Sequence, residues 1–110
     1  MPEQRKVLGQ LSPSAASLQP LYIVPGGTTQ AVVSTIQVCN CGATASNFRL
    51  SVAVAGAADD PSQYIYYDLP LMPNDVFSMT TGFTLGPTDV LRCYSDVGDV
   101  SFSAFGVEIT

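Results

Sequence analysis

Phe48-Arg49-Leu50-Ser51-Val52-Ala53-Val54-Ala55 alternates large apolar residues with small or polar ones without a break. A strand sends successive side chains to opposite faces, whereas a helix repeats every 3.6 residues. The run therefore predicts a half-buried strand, with Phe48, Leu50, Val52 and Val54 on the core and Arg49, Ser51, Ala53 and Ala55 on the other face.

Working outward, similar runs occupy 21–24, 30–39, 63–69, 76–84, 89–95 and 100–110. Turn residues separate them. Pro25-Gly26-Gly27 combines a fixed φ with freedom for positive φ, and Asn40-Cys41-Gly42, Pro70, Pro73 and Gly86-Pro87 punctuate the rest. Within 30–39, Val32, Ile36 and Val38 are expected on one face and Thr35 and Gln37 on the other. In the last run Val100 and Phe102 share one parity, while Phe105, Val107 and Ile109 share the other. A straight strand would send one of those sets to solvent, so a β-bulge is expected near Ala104-Phe105. The chain stops on this run, and a terminus that is itself a strand is expected inside a sheet. Seven runs with no long 3.6-period stretch predict an all-β fold. The expected architecture is a single antiparallel β-sandwich, jelly-roll-like, over residues 20–110.

Residues 1–19 carry neither period and are broken by prolines. They predict an extended N-terminal arm whose apolar residues Val7, Leu8, Leu11 and Leu18 are spaced to anchor on a neighbouring surface.

A chain of 110 residues makes one domain, and 12% charged residues is about half the usual share. With so few charges over ample Val, Ile, Phe and Tyr, part of the surface is expected to lie under a partner. The net charge is −5: Arg5 and Lys6 against Glu3 make the first segment +1, and Arg49 and Arg92 against eight acids make the remainder −6. That balance argues against direct nucleic-acid binding, which needs Lys and Arg on phosphates. No run reaches the roughly 20 apolar residues of a membrane span, and the N-terminus lacks the order of a signal peptide, so a soluble chain made in the cytosol is expected, with no membrane partner.

With no histidine, neither a Ser-His-Asp relay nor a Cys-His pair can form within the chain, and a mixed zinc site lacks its ligand. The expectation is no enzyme activity, no cofactor and no metal. Cys39, Cys41 and Cys93 read as thiols packed like small hydrophobes, with a Cys39–Cys93 disulfide open only after exposure to an oxidising medium. Asp59, Asp60, Asp75, Asp89, Asp96 and Asp99 fall beside strand ends, where Asp bonds local backbone. Tyr64, Tyr66 and Tyr67 are expected to pack in the core or between subunits, with a stacking platform for sugar as the alternative.

Leu21-Tyr-Ile-Val-Pro-Gly26, Val38-Cys-Asn-Cys-Gly-Ala-Thr-Ala45, the run 48–58, Tyr66-Tyr-Asp68 and the run 100–110 together resemble a family of small structural proteins of tailed bacteriophages. The likeness runs from about Leu8 to the end; Cys41 and Cys93 depart from it, standing where Arg and a β-branched residue are common. The resemblance implies a virion component made in the bacterial host cytoplasm and transfers no catalytic residue. A small β body with an arm suits a capsid decoration, or cement, protein on the head surface. Its expected partners are the major capsid protein and copies of itself, with a trimer by analogy. A tail, baseplate or fibre protein with carbohydrate receptor binding is the alternative.

Overall fold

The computed structural model describes residues 3–27, 29–80 and 82–109. Met1, Pro2, Thr28, Thr81 and Thr110 lie outside them, and with these go two residues of the expected arm, one of the run 76–84 and the last of the final strand.

Nine strands lie among the described residues: β1 (Glu3–Leu11), β2 (Gln19–Ile23), β3 (Gln30–Asn40), β4 (Ser46–Ala53), β5 (Tyr64–Leu71), β6 (Val76–Met79), β7 (Phe83–Leu85), β8 (Val90–Ser95) and β9 (Val100–Ile109). They form two antiparallel sheets, ordered β1-β9-β3-β6 with β7 also on β3, and β2-β8-β4-β5. β6 lies opposite Ile36–Cys39 and β7 opposite Ala31–Val33, so the two are halves of one interrupted strand. Counted that way, successive strands alternate between the sheets except at the β4-β5 pair, the strand order of a jelly roll. The antiparallel sandwich expected from the alternating runs is the fold.

The expected arm belongs to this sandwich. Glu3–Leu11 pairs with β9 along its length, and Lys6 bonds Glu108. The period of two is obscured because Leu8 is an extra residue between Val7↔Phe105 and Gly9↔Ala104. That bulge turns both Leu8 and Leu11 onto the core. Gly9 is required there, since a Cβ would run into the Leu21 carbonyl of the facing sheet.

The second correction concerns β9, which is unbroken. Val100, Phe102 and Ala104 are fully buried while Phe105, Val107 and Ile109 lie on the other face, half-buried. The bulges sit on its two neighbours, at Leu8 in β1 and Ser34 in β3. Ser34 Oγ donates to the Phe105 carbonyl across that irregularity, 3.1 Å away. The same bulge changes the phase of β3, so Ala31 and Val33 point inward with Ile36 and Val38, and Val32 faces out.

In β4, Phe48 and Leu50 are buried and Val52 packs on the core beside them, as the alternation predicts. Val54 does not: the strand ends at Ala53, a 3-10 turn takes Val54–Gly56, and Val54 is 69% exposed. Phe48 anchors the aromatic centre, with ring centroids 5.5 Å from Phe77 and 6.0 Å from Phe102. Asn40, fully buried at the end of β3, holds two loops: its Nδ2 donates to the Thr44 and Leu71 carbonyls at 2.9 and 3.2 Å, and its Oδ1 accepts from Gly42 N at 3.0 Å. Ser51 Oγ is buried with no hydrogen-bond partner among the described residues.

Three substitutions in and beside β4 read this packing out. Leu50→Ala should cost about 2–5 kcal/mol, whereas Val54→Ala should change stability by less than about 0.5 kcal/mol. Ser51→Ala should leave stability equal or higher, because it removes a hydroxyl that lost its water without gaining a partner. Chemical denaturation checks all three, and similar costs at Leu50 and Val54 would contradict the assignment of faces.

Candidate functional site

The outer face of β1-β9-β3 is built by strand register. Residues directly opposite each other in a ladder share a face. Val7, Phe105 and Thr35 make one row, Arg5, Val107 and Val32 the next, and Glu3, Ile109 and Gln30 the third. The result is an apolar patch of Val7, Val32, Phe105, Val107 and Ile109 with polar and charged residues at its rim. Val7 is 48% exposed. Among the described residues β1 is an edge strand, with no strand paired on the side away from β9. Of the four expected anchors, then, Val7 stands on this face, Leu8 and Leu11 pack on the chain's own core, and Leu18 is half-buried in the segment before β2.

A second arrangement occupies the outer face of β2-β8-β4-β5. Between the pairs Phe48↔Leu69 and Leu50↔Tyr66, Tyr67 and Asp68 together oppose Arg49 alone. Asp68 takes φ 54 to make this bulge, a conformation that Asp tolerates better than most residues. Both side chains are thereby aimed at Arg49. Its Nε donates to Asp68 Oδ1 at 2.6 Å and its Nη2 to Oδ2 at 3.3 Å. The guanidinium lies over two rings, 4.1 Å from the Tyr67 centroid and 4.3 Å from that of Tyr94, a favourable cation–π geometry. The Asp68 bond above all raises the Arg49 pKa further. Tyr64 meets Tyr67 edge-on at 5.0 Å, and its hydroxyl donates to Asp59 Oδ2 at 3.1 Å. Arg49, Asp59, Pro61, Tyr64 and Tyr67 line a cleft of about 480 Å³.

Only two of the three tyrosines singled out in the sequence meet here. Tyr66 points inward, with its ring 5.1 Å from Phe77. Arg49, Asp68 and Tyr94 were missed as members of the site; the available signal was an arginine on the polar face of the clearest strand followed by a Tyr-Tyr-Asp run.

The loop acids bond backbone groups both near and far in sequence, where the sequence suggested local partners alone. Asp60 caps a 3-10 turn at Pro61–Gln63 by accepting from Ser62 N and Oγ, which holds its carboxyl below the usual range. Asp89 accepts from Gly86 N and Ala55 N, and Asp96 from Asn47 N. Among the described residues no three His, Cys, Asp or Glu side chains are grouped to hold a metal ion, and no helix is long and apolar enough to cross a membrane. Cys93 is in the core, where burial pushes its thiol up to about 12. Cys39 lies near the outer face of the other sheet, and its sulfur neighbour is Cys41 at 3.6 Å.

Lys6, Glu108 and Tyr22 pin the two sheets at one end. Tyr22 Oη donates to Glu108 Oε2 at 2.5 Å, and Lys6 Nζ lies 2.9 Å from Oε1. The Tyr22 bond, then the Lys6 bond, lower the Glu108 pKa, while burial and the same carboxylate raise that of Tyr22.

No protein-family model and no curated protein sequence matches the chain. Among solved structures, it is similar to a chain of the T13 particle of infectious bursal disease virus, with TM-score 0.54, 10% identity, and coverage of 96% of this chain and 30% of that one. It is also similar to the VP2 subviral particle of the same virus, with TM-score 0.51, 12% identity, and coverage of 97% and 31%. A third likeness is to the capsid of Helicobacter pylori bacteriophage KHP30, with TM-score 0.49, 11% identity, and coverage of 98% and 93%. The chain thus spans about a third of the two infectious bursal disease virus chains, and at these identities the likeness is one of fold.

The sheet-to-sheet pin sets a pH dependence. Glu108 is only 11% exposed, and its folded pKa lies below the ordinary value. Its contribution is therefore complete above the ordinary carboxyl range and is lost as pH falls through the lowered folded value. Thermal unfolding from about pH 7 down to about pH 3 should show Glu108→Gln less stable at the upper end and the gap closing at the lower. Parallel curves for the two proteins would contradict this role.

Proposed function

We propose that the chain is a non-enzymatic virion structural protein of a tailed bacteriophage, a capsid decoration protein that clamps adjacent major capsid proteins and associates with copies of itself. The observation that carries the reading is the half-exposed apolar face of β1-β9-β3. A face of this kind is stabilised when covered, by about 25 cal/mol for each Å² of apolar surface removed from water. Repetition over a shell turns modest contacts into a large collective resistance to pressure from within. The jelly-roll strand order supports the reading, as does its likeness to chains from particles of infectious bursal disease virus.

The docking element in this proposal is a rigid sheet face and its open β1 edge, where the sequence suggested a loose arm. Val7 is the expected anchor that the proposal keeps. A rigid face loses less conformational entropy on docking than an arm that must first be ordered. Assembly as a trimer is taken by analogy with decoration proteins.

Val7→Asp tests the reading on phage particles lacking the protein. The side chain is outward on an edge strand, so stability should shift by less than about 0.5 kcal/mol, while head occupancy should fall at least about tenfold, or ~1.4 kcal/mol. Thermal survival of the particles should fall with occupancy. Undiminished occupancy would remove this face from the proposal, and binding of the unaltered protein confined to the tail would replace the cement reading with the tail one.

A further inference from the structure

The cleft beside Arg49 lies on the sheet opposite the proposed docking face, and its chemistry narrows what it can hold. Aromatic faces attract cations, but a second cation on Tyr67 would be a like charge beside the Arg49 guanidinium, which already lies 4.1 Å from that ring. An anion would find one cation already paired with Asp68 and would face the Asp59 carboxylate. A nucleic-acid strand fails for the same reason, with no second basic residue lining the cleft. A neutral ligand rich in hydroxyls meets none of these objections.

The cleft also offers what such a ligand uses. Tyr67 keeps 60% of its surface in solvent, and the negative face of an aromatic ring attracts the polarised C–H groups on the face of a sugar ring. Asp59 supplies an acceptor for sugar hydroxyls, and the hydroxyls of Tyr64 and Tyr67 supply donors and acceptors. The volume of about 480 Å³ falls in the range of small-molecule sites, about 300–1,000 Å³. The groups are held before any ligand arrives: Arg49 by Asp68 and two rings, Tyr64 by Asp59, and Tyr67 by the bulge. Little side-chain freedom remains to be lost. We propose that this cleft binds a neutral oligosaccharide, with Tyr67 as the stacking ring and Asp59 as a hydroxyl acceptor, wherever on a particle the chain resides.

The test is binding of the purified chain to immobilised neutral oligosaccharides of hexose, N-acetylhexosamine and 6-deoxyhexose units, beside sialylated and sulfated ones, followed by calorimetric titration of the strongest neutral compound. Neutral compounds should bind, and Tyr67→Ala and Asp59→Ala should each weaken binding about tenfold or more with the β-sheet circular dichroism unchanged. Tyr67→Phe, which keeps the ring, should retain most of it. No binding to any neutral compound, binding confined to the charged ones, or unchanged affinity in a folded Tyr67→Ala would overturn the proposal. If Tyr67→Ala fails to fold, unchanged affinity in Asp59→Ala, a loop position, overturns it alone.

Discussion

A β-strand must send neighbouring side chains to opposite faces, and β9 carries apolar residues on both. This strand lies between β1 and β3 and supplies Val100, Phe102 and Ala104 to the core. Its pleat then places Phe105, Val107 and Ile109 outside whatever else the chain does. A bulge within β9 would have hidden part of that set and broken a central ladder. Instead the extra residues fall in the flanking strands, at Leu8 and Ser34, which follow β9 without disturbing it. The core stays continuous and the second apolar set becomes a surface.

Much of the sandwich was legible in the sequence because its strands are regular where they face the core. The run from Phe48 to Val52 was read correctly, and so was the segment from Val100 to Phe102. Reading failed where the period of two is interrupted. β1 was taken for an arm because the Leu8 bulge puts Val7 out and both Leu8 and Leu11 in, a spacing that matches neither template. Val32 was given the wrong face because parity was counted through Ser34, and Val54 because nothing in an alternating run announces the 3-10 turn that ends it.

The cleft was half legible for a related reason. Tyr64, Tyr66 and Tyr67 were noticed as a group, yet strand parity alone would place Tyr64 with Tyr66. The positive φ of Asp68 brings Tyr67 and Asp68 to Arg49, and the irregular pairing of Tyr64 and Tyr66 with β4 separates those two. Tyr94 joins from β8 through the pair Arg49↔Tyr94, a long-range contact that no local pattern records. The two outer faces of one sandwich thus differ in kind. One is apolar and suited to a protein surface, and the other is a pre-ordered cluster of rings and carboxylates suited to solvent or a polar ligand.

Electron cryomicroscopy of intact particles that carry the chain tests the central claim most directly, because it reports both the location of the chain and its orientation. The account predicts jelly-roll density on the head, with the β1-β9-β3 face seated on a neighbouring subunit and the β2-β8-β4-β5 face turned to solvent. Density on the head with Val7, Phe105 and Val107 left bare, or density found only at the tail, would contradict it.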